Sequence, residues 1–349
     1  MPEGANNGRA AWQCPSNIAL VKYWGKKGIQ IPINPSISMT LDSCRTITEI
    51  NYEILDKPGI SFEFLFEGNK STGFDGKIST LLARAEDILK LPDGLHMSIS
   101  SGNTFPHSAG IASSASSMGA LALCLLDISR KFNKTDKEMF FQTASHIARL
   151  GSGSASRSLY GAYNLWGRIS GIDNSSEEYA VRLSSINDIF RDMKDMVMLV
   201  DSAPKSVSST AGHAMMNGHP FTESRIAQAM ENSLDLIKAL SSGDLDEFIR
   251  ISEQEALSLH ALMMSSKESF MLLKPSTIKI LEIIKRYRLE TKYPVCFTLD
   301  AGPNVHLLYP GSIEQAVETE LLPELIEHCE EGRMIKDTVG DGPERLYEN

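Results

Sequence analysis

Apolar residues fall at nearly every second position through Thr46–Leu55 (TITEINYEIL) and again through Ser61–Phe66 (SFEFLF), the period of a strand with one face covered. The stretch between Glu67 and Lys77 is rich in Gly, Asn, Ser and Asp, which is turn chemistry. Then the period changes: Leu81, Leu82, Ala85, Ile88 and Leu89 line one helical face over Ile78–Lys90. A short strand is predicted at Met97–Ser100. Leu121–Ile128 is apolar on nearly every side, which predicts a buried helix, and Lys137–Leu150 predicts a second helix. Past a strand-like Tyr160–Trp166 and a polar break at Gly171–Ser176, the pattern gives a strand at Met196–Val200. Helices at Glu223–Leu240, Asp244–Met264 and Thr277–Arg288 follow, with strands at Val295–Leu299 and Val305–Tyr309. Strands grouped with helices, without regular βαβ alternation, make an α+β chain of two layers. No repeat of about 20–50 residues is present, which excludes solenoids and propellers.

Composition refines this outline. The 349 residues suit two domains of roughly 150 residues, and a shift near Asn187–Lys194 divides the chain into lobes of residues 1–190 and 191–349. With 34 Lys and Arg against 44 Asp and Glu, the net charge of −10 repels nucleic acid and anionic membrane. An anionic small molecule therefore needs a local basic pocket. The five cysteines are scattered, odd in number and without CxxC spacing, so neither a disulfide framework nor a zinc site is expected, and a reducing, cytoplasmic setting fits. The start MPEGANNGRA is not a signal peptide, and the longest apolar run, Ala120–Leu126, is far short of the ~18 residues of a membrane span.

Five segments carry candidate chemistry. Pro106–Ala115 (PHSAGIASSA) sets a glycine and small hydroxyl residues before the buried helix, so that backbone N–H groups and the helix dipole could hold a phosphate chain; Ser113, Ser114 and Ser116 could add donors or touch magnesium. No Gly-Lys-Ser or Gly-Lys-Thr follows, so this is not a P-loop, and a Ser-rich helix cap is the plainer alternative. Asn17–Lys26 (NIALVKYWGK) interleaves lysines with aromatics. On a strand, Lys22, Trp24 and Lys26 would share one face with Tyr23 on the other, either converging on an anion or guarding a sheet edge. Gly151–Ser158 (GSGSASRS) offers the rigid fork of Arg157, beside Ser152 and Ser154, to a carboxylate or phosphate, and reads equally as a structural loop with a surface arginine. Lys205–Gly212 (KSVSSTAG) repeats hydroxyls beside a basic residue, and also reads as a capped helix start. In Thr298–Asn304 (TLDAGPN), Asp300 ends an apolar strand and either caps the turn or accepts a hydroxyl proton.

In order and wording these segments resemble the diphosphomevalonate decarboxylases of the GHMP kinase superfamily. Members carry NIAxIKYWGK, then PxNxSxSxTL (here Pro32–Leu41, PINPSISMTL), a Ser-Ser-Ala phosphate loop (Ser101–Ala115), a GSGSA-x-RS segment (within Arg149–Ala162) and a late DAGPN (Asp300–Asn304), so the resemblance spans residues 14 to 309. Thr104, His107, Pro35, Ser156 and Thr210 depart from the family pattern.

The resemblance implies a two-lobed GHMP kinase fold, with a ribosomal-protein-S5-like first lobe and a ferredoxin-like second lobe around a cleft. It also implies ATP and Mg²⁺ as cofactors, a homodimer, and ATP-dependent conversion of mevalonate 5-diphosphate to isopentenyl diphosphate, ADP, phosphate and CO₂. By the same resemblance Asp300, Lys22 and Arg157 are catalytic. Tyr23, Lys26, Ser152, Ser154, Arg157 and Ser209 bind substrate, and Asn103, Gly110, Ser113, Ser114 and Ser116 bind the nucleotide. The magnesium ligands are not assigned. A small-molecule kinase of the same superfamily, or a catalytically silent ligand-binding protein on this fold, are the alternatives.

Overall fold

A computed structural model describes residues 6–106, 111–133, 138–203 and 209–347, the side chains of Ser209 and Thr210 excepted. The fold is mixed α+β, as the pattern predicts. Its larger sheet has eight strands. Glu344–Arg345, Asn7–Val21, Ser36–Ile54, Leu95–Asn103, Ser61–Phe66 and Asn69–Lys70 lie side by side in that order. Tyr163–Trp166 pairs with the first residues of Ser36–Ile54 and carries Ala180–Arg182 on its far side. Only Ser61–Phe66 against Leu95–Asn103 is parallel. The second sheet has four antiparallel strands, Cys296–Leu299, Val305–Pro310, Met193–Met198 and Met334–Thr338.

Helices Asp75–Arg84, Ser113–Phe132 and Phe140–Gly151 cover one core, built from Trp12, Met97, Ile99, Leu121, Leu125 and Ile147 among others. Leu121–Ile128, the predicted buried helix, is the middle of the 20-residue Ser113–Phe132. Its Gly119 faces Cys14 so closely that a Cβ would collide with the sulfur, which fixes how tightly helix and sheet approach. A second core joins Ile18, Leu20, Ile37, Met39 and Leu165 of the large sheet to Leu236 and Phe248 of helices Thr222–Ser242 and Leu245–Ser265. A third, with Met196, Phe297 and Leu307, lies under helix Pro275–Thr291. Among the described residues no helix is long and apolar enough to cross a membrane.

The two sheets are stitched at one place. The Asp337 carboxylate accepts the backbone N–H groups of Asp42, Ser43 and Cys44, each at 2.8 Å, and Gly340 bonds across to Thr40 and Ala162. Past this stitch the chain crosses back, and Glu344 and Arg345 pair with Gln13 and Trp12.

One expectation fails. The strand carrying NIALVKYWGK ends at Val21, just after a register shift between Ala19 and Val21, so Lys22, Trp24 and Lys26 do not share a strand face. The shift turns the chain: Lys22 is directed inward and Lys26 falls in a separate two-residue strand, Lys26–Lys27, paired with Ile31–Pro32.

Candidate functional site

The sequence places a lysine directly after a strand whose last eight residues are all buried, so its side chain enters the interior. Lys22 is 2% exposed, and its ammonium lies 3.7 Å from the carboxylate of Asp300. It also donates to the Ala19 carbonyl. Asp300 follows the buried strand Cys296–Leu299 of the other sheet and keeps a quarter of its side chain open. The junction of the two sheets thus holds a carboxylate that is part solvated and a cation that is not. Burial drives the Lys22 amine down to about 8, opposed by Asp300 and Glu255 and assisted by Arg157.

Arg157 comes from the helical turn Gly153–Ser158 and is 3% exposed. Its Nε donates to Asn17 Oδ1 at 3.4 Å, its Nη1 donates to Ser36 Oγ, and the guanidinium stands 5.8 Å from the Trp166 ring. Burial lowers its pKa to about 10, with Asp300 and Tyr23 opposing, so it stays charged at neutral pH. Tyr23 packs between Trp166 and His213, with ring centroids 4.6 and 4.2 Å away, and its buried hydroxyl has no hydrogen-bond partner among the described residues. A Cβ on Gly153 would meet that hydroxyl at 2.8 Å, so the glycine makes room for the ring. His213, from the short helix Ser209–Ala214, accepts the Gly25 N–H at Nδ1 (3.0 Å) and is held neutral down to about pH 3 by burial, then by Lys26 and Arg157. Lys26 stands half-buried at the rim and donates to Gln30 at 3.1 Å.

The small-residue segments meet at the start of helix Ser113–Phe132. That helix opens from Ala112 in a left-handed conformation with no side-chain cap, leaving its first turn open to an anion. Ser114 Oγ lies 3.4 Å from Ser152 Oγ, which lies 3.3 Å from Ser154 Oγ, a chain of hydroxyls from the helix start to the Arg157 turn. Ser113 is at the same mouth, its carbonyl taken by Ser116 and Ser117. Ser116 itself turns away: it is fully buried, 2.6 Å from Thr46 Oγ1. Thr46 also donates to Asn103 Oδ1 at 2.7 Å, and the buried Asn103 Nδ2 has no partner among the described residues. Gly110, His107 and the Ser209 and Thr210 side chains lie outside the described residues. Thr104 closes a strand end by donating to Ser43, and Ser156 donates to Gly153 inside its own turn; both are structural.

The structure brings Lys22, Arg157, Tyr23 and Asp300 together, and Ser114 to Ser152 and Ser154. Sequence reasoning did not single out Glu255, Arg225, His260, His213, Asn17 and Ser36 as site residues. A signal existed for two of them. Glu255 and Arg225 are charges among mainly apolar helical neighbours, with Phe248, Ile251, Leu259 and Leu262 around the first and Ala229, Leu236 and Leu240, interrupted by Asn232, following the second. Among the described residues no group of three His, Cys, Asp or Glu could hold a metal.

Residues 14–178 match the family model for the diphosphomevalonate decarboxylase-like N-terminal domain, and residues 196–344 that for the mevalonate 5-diphosphate decarboxylase C-terminal domain. The diphosphomevalonate decarboxylase of Candida albicans is 26% identical over 369 residues, covering 97% of this chain and 98% of the relative. That of Debaryomyces hansenii is 30% identical over 319 residues, covering 87% and 80%. The crystal structure of mevalonate diphosphate decarboxylase from Staphylococcus aureus superposes with a TM-score of 0.83 at 28% identity, covering 98% of each chain. The solved complex of MDDEF with MVAPP, AMPPCP and magnesium gives 0.81 at 25% identity, covering 97% of this chain and 99% of the other.

Proposed function

The chain belongs to the diphosphomevalonate decarboxylase family and is an enzyme of it, and on that premise we propose an ATP-dependent conversion of (R)-mevalonate 5-diphosphate to isopentenyl diphosphate, ADP, phosphate and CO₂. The observation that carries the proposal is the Asp300 carboxylate, 3.7 Å from buried Lys22 with Arg157 beside them, where the two sheets meet. In this reading the lobes 1–190 and 191–349 close on that pair.

Losing CO₂ from the substrate needs somewhere for the electrons to go, and hydroxide is a poor leaving group. Transfer of the γ-phosphoryl to the 3-hydroxyl makes phosphate the leaving group. Its departure builds positive charge at C3, and breaking the C–CO₂ bond then supplies the double bond. Asp300 hydrogen-bonds the 3-hydroxyl and takes its proton as transfer proceeds. An ordinary carboxylate is far too weak a base to deprotonate an alcohol beforehand, so alignment outweighs basicity. Lys22 pairs with Asp300 and offsets charge on the transferring group. Arg157 clasps the substrate carboxylate with Ser154 and Ser152 beside it, and Tyr23, Lys26 and Ser209 hold the diphosphate.

The open start of helix Ser113–Phe132, with the Ser113 and Ser114 hydroxyls and the Gly110 backbone, receives the nucleotide phosphates. Beside it, Phe64, Phe66, Phe74, Ile99, Ser117 and Leu121 line a narrow apolar hollow of about 30 Å³, too small in this structure for a nucleobase; Asn103 reaches its edge through Thr46, which lies 3.5 Å from Ser117 Oγ. A magnesium ion fits this donor set if it arrives on the phosphates with its waters and meets Ser113 or Ser114, since the ion needs few protein ligands. When bound it neutralises charge between the terminal phosphates. We assign the enzyme to the cytoplasm, supported by five free cysteines, and its assembly as a homodimer follows from the family resemblance.

The test is purified protein with magnesium, ATP and mevalonate 5-diphosphate, following gas release and ADP together. Matched release supports the reading, and ADP without CO₂ makes the protein a kinase. Asp300→Asn is expected to bind both ligands, by calorimetry, and to lose at least ~10³-fold in kcat. Near wild-type turnover removes Asp300 from the mechanism.

A further inference from the structure

Helix Leu245–Ser265 packs on both the strand that ends before Lys22 and the strand that ends before Asp300. Beyond that packing it accepts from the backbone of Lys22 and donates to that of Asp300. Glu255, fully buried, accepts the Lys22 N–H at 2.8 Å. Arg225 clasps both Glu255 oxygens, at 2.7 and 2.6 Å, and donates to the Lys22 carbonyl at 3.0 Å. Both polar atoms of the Lys22 backbone are therefore fixed by one buried ion pair, at the point where the strand's own ladder has stopped. Five residues on, about 7.5 Å along the axis, His260 Nε2 lies 3.1 Å from the Asp300 carbonyl. A carbonyl only accepts, so Nε2 carries the proton. Burial keeps the ring neutral down to about pH 4.

The helix itself is anchored. Glu253 is held by Arg288 at 2.6 and 3.0 Å, and Asn232 donates to Glu255 at 2.7 Å. Lys22 and Asp300 follow strands of different sheets, and the Asp337 stitch that joins those sheets touches neither residue, so the helix is the element hydrogen-bonded to both of their backbones.

We propose that helix Leu245–Ser265 is the spacer that sets the separation of the Lys22 ammonium and the Asp300 carboxylate, with Glu255, Arg225 and His260 as positioning residues for the reaction. The inference rests on the reading of Lys22 and Asp300 as reacting groups. In-line transfer tolerates little error: a displacement near 1 Å costs about 10²-fold in rate. None of the three residues needs to touch a ligand to have that effect.

The experiment compares His260→Leu, which removes the donor, with His260→Gln, whose amide N–H can reach the same carbonyl, and runs Asp300→Asn in parallel. His260→Leu is expected to lower kcat roughly 10- to 100-fold while the KM for each substrate stays within about threefold, and His260→Gln to recover most of the loss. Wild-type kcat in His260→Leu, or a loss that folded His260→Gln does not recover, overturns the proposal. If Asp300→Asn is as active as wild type, the underlying reading fails instead.

Glu255→Gln keeps an acceptor for the Lys22 N–H but removes a charge. Lys22 is faced by Asp300 from the turn after Cys296–Leu299, Glu255 and His260 from the helix, Arg157 from the turn Gly153–Ser158, and Asp195 from the strand Met193–Met198. Losing one of these anions is expected to move the alkaline limb of kcat/KM to lower pH, and an unmoved limb in folded Glu255→Gln also counts against the proposal. Where Glu255→Gln does not fold, the His260 pair decides.

Discussion

An amine inside a protein is costly to charge, and Lys22 has two anions to help it and one cation to hinder it. The balance, near 8, falls inside the range in which enzymes are assayed. Because the charged form is the one that steadies Asp300, kcat/KM, which reports the free enzyme, is expected to fall as pH rises through about 8. Substrate and nucleotide bring negative charge beside the amine, so the corresponding limb of kcat lies at higher pH. Paired pH–rate profiles check both, and a kcat/KM that is flat to pH 9.5 removes Lys22 from the rate equation. His213 and His260, held neutral down to about 3 and 4, add no limb between pH 5 and 9. Lys22, Arg157 and Asp300 were legible because each stands in a short segment whose neighbours are themselves informative. His260 was not, and Glu255 carried only the signal of a charge among apolar helix positions: both lie more than 200 positions from Lys22, and only the folded chain shows that the buried carboxylate meets a backbone and not a solvent face.

Elements were legible where one face is wet. Ser36–Ile54 alternates only from Asp42 onward, so its second half was predicted and its first six residues, buried throughout, were not. Asn7–Val21 is silent for the same reason, since a strand covered on both sides has no period of two. The helices of the second half show the apolar stripe clearly and match within a few residues. Helix Ser113–Phe132 depends on a feature no periodicity reveals, the missing Cβ of Gly119 against Cys14. Gly119→Val is expected to destabilise by about 1–3 kcal/mol through overpacking, read as a lower urea midpoint, and Cys14→Ala in the same chain to restore part of it. No shift in midpoint would mean that the helix moves freely, and the close approach would then not be what fixes its start.

The two sheets are far apart in sequence yet share one carboxylate. Asp337 holds three consecutive N–H groups of the long strand Ser36–Ile54, and charge-assisted bonds of this kind are the strong ones. Asp337→Ala strands those donors, at a cost on the order of 3 kcal/mol. Unfolding is expected to change from one transition in the parent to two in the variant, as the small sheet loosens first, and a single sharp calorimetric peak in both proteins would count against this. The stitch was illegible in the sequence because it joins residues some 300 apart, one of them in a strand too short and too polar to predict.

Of the three tryptophans, Trp166 packs on Tyr23 and Trp24 on His213, the other ring against Tyr23, while Trp12 lies away in the core under helix Phe140–Gly151. Nature has therefore installed an optical gauge in the chamber itself. Once Trp12 is exchanged for phenylalanine, indole emission comes only from Trp24 and Trp166, both buried against the Tyr23 and His213 rings, and a ligand that shifts those rings is expected to change it. Occupancy can then be followed in real time by light, with no label and no turnover.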